Sequence, residues 1–216
     1  MIEQSVEFSY EDIERAHEEV KRDFQYGREE CMLAHIIQMH PQNDDLEWIA
    51  IKVSVVDLTN STQLNNYKSK LSLYDISKII LELNIDEDIQ NGNAEVIRRI
   101  AKRCKHFPDT DKGVNLFSFA SKYCAYHNMY AYGRDDFSIF DNVVSTNLFR
   151  FATELNPLKK MTPETWRQNI EYQEYNNYIG NLLDEKGITQ DKYPHRRRMF
   201  DHFVWYKNRT KENNHN

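Results

Sequence analysis

The chain has 216 residues, 12% of them aromatic but only 6 Gly and 5 Pro, and this scarcity of turn formers argues against an all-β architecture and for a helical one. The formal charge of −6 is uneven: residues 1–50 carry 13 acidic and 4 basic side chains, so a polyanion is excluded from that surface but not from the remainder. Three cysteines without a CxxC pair argue against a disulfide framework or a clustered-cysteine metal site, and no run of about 18 apolar residues or leader-like N-terminal stretch is present; the expectation is a cytoplasmic protein with no membrane span, no metal and no cofactor.

Ser9-Tyr-Glu-Asp12 has the form of a capping box. Ile13, Ala16, Val20 and Phe24 follow at three- and four-residue steps, which predicts an amphipathic helix with an acidic wet face, stopped near Gly27. A second helix is expected from Glu29 to Met39, closed by His40-Pro41, with Asn43-Asp44-Asp45 as turn and cap. Leu46 to Leu58 is rich in β-branched residues but long for a strand, so a buried helix is expected. Leu58 to Leu64 is dense in small hydrogen-bonding residues and reads either as a helix-end loop or as a polar finger that touches a ligand.

Ser72 caps a predicted helix through Leu83, with Ile76, Ile79, Ile80 and Leu83 on one face. After Gly92-Asn93, a helix over Ala94–His106 turns Val96, Ile97 and Ile100 inward and presents Arg98, Arg99, Lys102, Arg103 and Lys105, either as a solvated face or as a patch for phosphates. Pro108 ends it, and residues 109–113 form a loop. Beyond the central stretch taken up below, a helix is expected over Val144–Glu154, broken by Asn156-Pro157. Thr162-Pro163-Glu-Thr starts another, whose Trp166, Ile170, Tyr172, Tyr175, Tyr178 and Ile179 lead toward Gly180 or Gly187; its tyrosines serve either packing or base stacking. A last helix covers Tyr193 to Lys207, with Arg196-Arg-Arg198 either gripping phosphates or solvating a turn.

The chemistry concentrates between Leu116 and Val144. Lys122 sits in the apolar and small-residue run Leu116-Phe-Ser-Phe-Ala-Ser-Lys, with Phe117, Phe119, Tyr123 and Tyr126 around it, and burial there favours a neutral, nucleophilic amine. Nineteen residues later Asp141 follows Ile139-Phe140 and precedes Val143-Val144; a carboxylate so flanked is paired, caps a helix, or works. Taken alone, Lys122 also reads as a snorkelling lysine and Asp141 as an N-cap.

Leu116-Phe-Ser-Phe-Ala-Ser-Lys122 and Ser138-Ile-Phe-Asp141 together resemble the active-site segment of the helix-hairpin-helix DNA glycosylases, in particular the 8-oxoguanine branch. There a Leu-Pro-Gly-Val-Gly-Thr-Lys hairpin opens a helix, and a Val-Pro-Val-Asp motif follows about nineteen residues on. The resemblance covers about 30 residues. The chain itself reads as one all-α domain, with acidic helices over 1–45, a core over 46–155, a helical lid over 156–207 and a frayed tail over 208–216; the resemblance, to an all-helical family, implies a helix-hairpin-helix glycosylase-like fold for it, in one compact domain with two helical subdomains. The same resemblance implies Lys122 as Schiff-base nucleophile and Asp141 as the carboxylate that assists departure of the base. Asn60, Ser61, Thr62 and Gln63 would fill the gap left by a flipped base in duplex DNA, with Ser118, Ala120, Arg98 and Lys102 toward the phosphates. Ser118 and Ala120 replace the two hairpin glycines and Phe117 replaces the proline, and a Cβ at both glycine positions holds a phosphate further from the backbone amides. The rival reading is a non-catalytic nucleic-acid or protein binding module descended from that fold, or a helical interaction protein unrelated to it.

Overall fold

The computed structural model describes residues 7–60, 62, 64–67, 70–106, 116–151 and 171–213. Every regular element among them is helical, in agreement with the all-α expectation, and no helix among them is long and apolar enough to cross a membrane. The expected breaks at Pro108 and Asn156-Pro157, the loop over 109–113 and the helix start at Thr162-Pro163 with Trp166 and Ile170 lie outside the described residues. The chain forms two compact units, Phe24–Phe137 and a second made of Met1–Asp23 with Ser138–Asn216. These divisions differ from the segment bounds expected from the sequence. The acidic N-terminal segment is split at Asp23, because the first helix joins the C-terminal elements rather than its neighbour in sequence.

The unit Phe24–Phe137 holds α2 (Phe24–Met39), α3 (Leu46–Asn60), α4 (Leu73–Leu83), α5 (Asp86–Gln90), α6 (Glu95–Lys105) and α7 (Phe117–Tyr132). The first helix of the chain ends at Arg22, its cap residue Asp23 leaves the helical conformation (φ −58°, ψ 119°), and α2 starts directly after it. Gly27, expected as a stop, lies inside α2, where glycine costs about 1 kcal/mol relative to alanine. Asp45 caps α3 by accepting from the amides of Glu47 (2.9 Å) and Trp48 (3.0 Å). Ser72 and Asp75 form a reciprocal capping box at the start of α4. α7 packs against α2, α3, α5 and α6, and its residues from Phe119 to Cys124 are all buried. It is the central helix of this unit, ended by Gly133 in a left-handed conformation (φ 65°). Between α5 and α6, Gly92 has φ +70°, and a Cβ there would lie 2.8 Å from Cβ and Cγ of Asp136. That side chain is itself held by Asn128 (3.0 Å) and Arg134 (2.6 Å).

One charge lies wholly inside this unit. Lys52, on the inner face of α3, has no exposed surface, and its ammonium donates to the carbonyls of His40 (3.2 Å) and Gln42 (2.6 Å) and to Oδ1 of Asn43 (2.8 Å). Three donors meet three acceptors, so the group is fully satisfied. Tyr123 of α7 donates to the same Asn43 Oδ1 (2.6 Å), while the Asn43 amide groups donate to Asp86 at the start of α5. His127, one turn beyond Tyr123, lies 2.5 Å from the Pro41 carbonyl through Nε2, so Nε2 carries the proton and Nδ1 is an acceptor, with no hydrogen-bond partner among the described residues. The network ties the α2–α3 connection to α5 and α7. Burial pushes the Lys52 amine down to about 8, against the opposing pull of Asp86 and Asp44. Burial, reinforced by the Lys52 charge, takes His127 down to about 3.

The second unit holds α1 (Tyr10–Arg22), α8 (Asn142–Asn147), α9 (Tyr172–Glu185) and α10 (Arg196–Asn213). The predicted capping box of α1 is present, Ile13, Ala16 and Val20 are buried, and α1 packs along α10. Phe8, Phe151, Phe200 and Phe203 form an aromatic cluster, with ring centroids 5.2–6.2 Å apart. His17 of α1 and His202 of α10 stack and share a hydrogen bond between their Nδ1 atoms (2.8 Å), one ring donating and the other accepting. Burial, then the charge of Arg198, drives His202 well below its ordinary value. On α9 the tyrosines serve packing: Tyr172 and Tyr175 are buried and donate to the carbonyls of Ser138 (2.7 Å) and Ile139 (2.5 Å).

Lys52→Met keeps the side-chain length but removes the donors to three buried acceptors, and is expected to lower the unfolding free energy by about 2–4 kcal/mol in a urea titration. Gly92→Ala adds both a clash and a strained φ, and is expected to cost about 2–3 kcal/mol in the same measurement. The histidines set a pH slope. His127 and His202 stay neutral when folded, while unfolded histidine takes up a proton near pH 6.5, so between about pH 6.5 and 5 the unfolded state binds more protons. Stability present above that range falls with acid by about 1.4 kcal/mol per pH unit for each such histidine, and His127→Gln flattens the slope measured by urea titration at successive pH values.

Candidate functional site

Of the residues singled out by the resemblance, Asn60 and Lys122 meet at the C-terminal end of α3, with Thr62 beside them. Asn60 is the last residue of that helix, and the last carbonyls of a helix lack intrahelical donors. Its carbonyl accepts from Nζ of Lys122 (3.3 Å), and its side-chain Oδ1 accepts from the hydroxyl of Tyr126 (2.6 Å). Lys122 and Tyr126 are one turn apart on α7 and therefore share a face. Lys122 is 7% exposed and Tyr126 1% exposed. A protonated amine placed there also meets the negative end of the α3 dipole. Asp57 then folds the chain back beyond the helix, accepting from the Thr62 hydroxyl (2.5 Å) and the Leu64 amide (3.0 Å). Asn60, Thr62 and Lys122 thus belong to one neighbourhood within the unit Phe24–Phe137, although 60 residues of sequence separate them. Ser61 and Gln63 lie outside the described residues.

The segment matched to the hairpin is the opening of α7. The helix begins at Phe117 with Leu116 as its cap residue, the Ala120 amide donates to the Leu116 carbonyl (2.9 Å), and Ala120 is fully buried. An amide already spent inside a helix is not offered to a phosphate, so Ala120 supplies helix and core. Ser118 lies in the first turn, where its carbonyl accepts from the Ser121 hydroxyl (2.9 Å).

Asp141 belongs to the other unit, where it is the N-cap of α8: its backbone is extended, and its Oδ1 accepts from the Val144 amide (2.9 Å). Its charge also contributes, after burial, Tyr172 and Asp201, to raising Tyr175 well above the ordinary tyrosine value. Lys122 and Asp141 are therefore described each in its own unit.

The basic surface of α6 is largely matched by acids. Arg98 forks onto Glu95, Arg99 reaches Asp88 and the Leu83 carbonyl (2.8 Å), and Arg103 lies 3.9 Å from Glu82. Arg98 and Lys102 are exposed, and Lys102 adds to the positive field that, after Arg98, holds Glu95 below the ordinary carboxylate range. The run Arg196–Arg198, read from sequence as a phosphate grip or an exposed turn, is structural. Arg196 pairs with Asp184 and donates to the Ile188 carbonyl (2.5 Å), Arg197 to the Ser138 hydroxyl and the Asn176 carbonyl (both 2.7 Å), and Arg198 to Asp201 (2.5 Å).

Sequence reasoning passed over the Lys52–Asn43–Tyr123–His127–Asp86 network. The available signal was Lys52 itself, a lone cation on the inward side of an otherwise apolar helix. Among the described residues no group of three or more His, Cys, Asp or Glu could hold a metal ion.

A family model described as the HI_0787_N N-terminal domain matches residues 12–131, from α1 through nearly all of α7. No curated protein and no solved structure matches the chain. The matched region contains Asn60, Thr62, Arg98, Lys102, Lys122 and the Lys52 network, and it stops ten residues before Asp141. It takes in more than half of the 216 residues, and on that ground the chain belongs to the HI_0787_N family.

Proposed function

We propose that this protein is a nucleic-acid-binding module of the helix-hairpin-helix glycosylase-like class that works by contact rather than by amine chemistry, with its site at the end of α3 and the adjoining face of α7. The observation that carries the reading is the bond from Lys122 Nζ to the Asn60 carbonyl. It supports a shared site, because it joins two segments that the resemblance assigns separately to the flipped-base gap and to the reacting amine. It also argues against lyase chemistry. A nucleophilic amine must reach the sugar carbon, whereas this side chain is 7% exposed and its nitrogen is turned toward a helix-terminal carbonyl. Ala120 and Asp141 have structural employment of the same kind, in the α7 hydrogen-bond ladder and in the α8 cap. Lys102, exposed on α6, is the foremost cation for a phosphate backbone, and Arg98 reaches one only by giving up Glu95.

A second reading, a glycosylase/lyase with Lys122 as nucleophile and Asp141 assisting, is favoured by the convergence of Lys122 with Asn60. One experiment separates them. Fluorescence anisotropy with single-stranded and duplex oligonucleotides, some carrying an abasic site or 8-oxoguanine, is followed over a salt series, and the same mixtures are treated with borohydride. The expected outcome is binding whose log K falls with log salt with a slope of about −2 to −3, weakened by Lys102→Glu, and no covalent adduct. An adduct that disappears in Lys122→Ala establishes the enzyme instead. Absence of binding to any of these oligonucleotides at low salt sinks both readings.

A further inference from the structure

Tyr10 opens α1, and Tyr193 lies in the turn just before α10. The Tyr193 amide donates to the Thr189 carbonyl (2.9 Å) and its own carbonyl accepts from the Arg196 amide (3.1 Å), so the turn holds the ring in place. The two phenol rings stack, with centroids 3.8 Å apart and planes 24° from parallel. The stack belongs to a longer seam within this unit. Tyr10–Tyr193, His17–His202 (2.8 Å) and Asp23–Arg209 (3.2 Å) follow in the same order along the chain, so α1 and α10 run parallel and the tyrosine pair lies at the start of both. Tyr10 and Tyr193 are half-buried and keep contact with solvent. Tyr126–Tyr130 and Tyr172–Tyr175 are further apart, at 6.1 and 5.9 Å, and Tyr126, Tyr172 and Tyr175 are buried.

A phenol yields an electron most readily when a base takes its proton in the same step. The Tyr10 hydroxyl donates to Oε1 of Glu14 (3.1 Å), an exposed carboxylate one turn further along α1. Burial, then Glu14, raises Tyr10 to about 12, so at neutral pH the pair stands as phenol and carboxylate. Tyr193 has the Lys192 ammonium 5.5 Å from its ring centroid, and that charge opposes removal of an electron from the ring. The first electron therefore leaves Tyr10, with its proton passing to Glu14. Oxidation of Tyr193 then leaves two neutral phenoxyl radicals in contact. Pairing of their electrons forms one bond between ring carbons ortho to the oxygens. Those two carbons lose their hydrogens as protons, and the two phenolic oxygens are reprotonated. The balance is two electrons to the oxidant, two protons to solvent, and a chain lighter by two hydrogen atoms.

We propose that Tyr10 and Tyr193 form an oxidative cross-linking site, at which a one-electron oxidant of the peroxidase-intermediate class couples the stacked rings into a dityrosine. The link joins the start of α1 covalently to the turn before α10, two elements otherwise held by side-chain packing and polar contacts. It closes a loop through most of the chain and so restrains the unfolded state more than the folded one.

The full chain at about 1 µM, where a pair already in contact outruns encounters between molecules, is photolysed briefly with tris(bipyridyl)ruthenium(II) and persulfate. Dityrosine fluorescence, denaturing gels and peptide mass mapping read the product. The expected product is a monomeric chain lighter by two hydrogen atoms, with Tyr10 and Tyr193 in one cross-linked peptide and a raised urea midpoint. Tyr10→Phe and Tyr193→Phe each abolish this link, while circular-dichroism melts show that both variants fold. Tyr74→Phe, at an exposed tyrosine of α4, leaves the link unchanged. Glu14→Gln keeps an acceptor but removes the base, and slows the link by about tenfold at neutral pH. A folded chain that yields no dityrosine, that links only between molecules, or that joins other tyrosines overturns the proposal. So does a Tyr10–Tyr193 link that forms at the same rate in urea, where the stack is absent. An unchanged rate in Glu14→Gln overturns the assignment of Glu14 as proton acceptor.

Discussion

The unit Phe24–Phe137 depends on a buried ammonium. Lys52 carries its charge into the interior of α3, where leaving it unpaired would cost several kcal/mol, and the fold answers with three oxygens from the connection that leads into that helix. Satisfying Lys52 fixes the His40–Asn43 backbone and the Asn43 side chain. Asn43 in turn anchors Tyr123 of α7 and Asp86 of α5. A purely apolar contact would tolerate sliding of α3 against its neighbours. Three directional bonds to one nitrogen do not, so the register between α3 and α7 is set, and with it the place where the α3 terminus meets Lys122.

The two lysines show how one side chain takes two roles. Lys52 approaches the start of its helix environment from inside and is spent on the loop before α3. Lys122 comes from α7 and is spent on the terminus after it. Lys52, midway along α3, is turned inward onto the connection that precedes the helix, and Lys122 meets the carbonyl of its last residue. The helix carries Val53 and Val56 inward, and Ile51, Val55 and Leu58 outward. α3 thus spends its cation on the interior and has none for solvent.

Elsewhere the chain uses charge as staple rather than as surface. Arg196, Arg197 and Arg198 project from the first turn of α10 in different directions and reach Asp184, Ser138 and Asp201 respectively. Arg98, Arg99 and Arg103 on α6 meet Glu95, Asp88 and Glu82. Among the described residues, stretches that look basic in sequence have much of their charge matched by acids, and the nucleic-acid reading rests on the α3–α7 neighbourhood and the exposed α6 cations rather than on a broad positive field.

The sequence by itself determined what depends on near neighbours. The capping boxes at Ser9 and Ser72, the stripe Ile13–Ala16–Val20, the inward face Val96–Ile97–Ile100 and the Asp141 cap are all set by contacts within a turn or two of chain, and each is legible in spacing and residue type. Local pattern also reaches the helical character of Leu46–Leu58 despite its β-branched content. Tertiary structure decided the rest. Gly27 remains helical and Asp23 breaks the chain; α1 joins α10; Lys52 is buried; the arginine triplet is internal; and the segment resembling a hairpin is the opening of a central helix. Some of the contacts involved join residues far apart in sequence: Asn43 with Tyr123, Asn60 with Lys122, Ser138 with Arg197. A charged side chain has the same local signature whether it meets water or a carbonyl, and only the assembled fold supplies the acceptor that distinguishes the two.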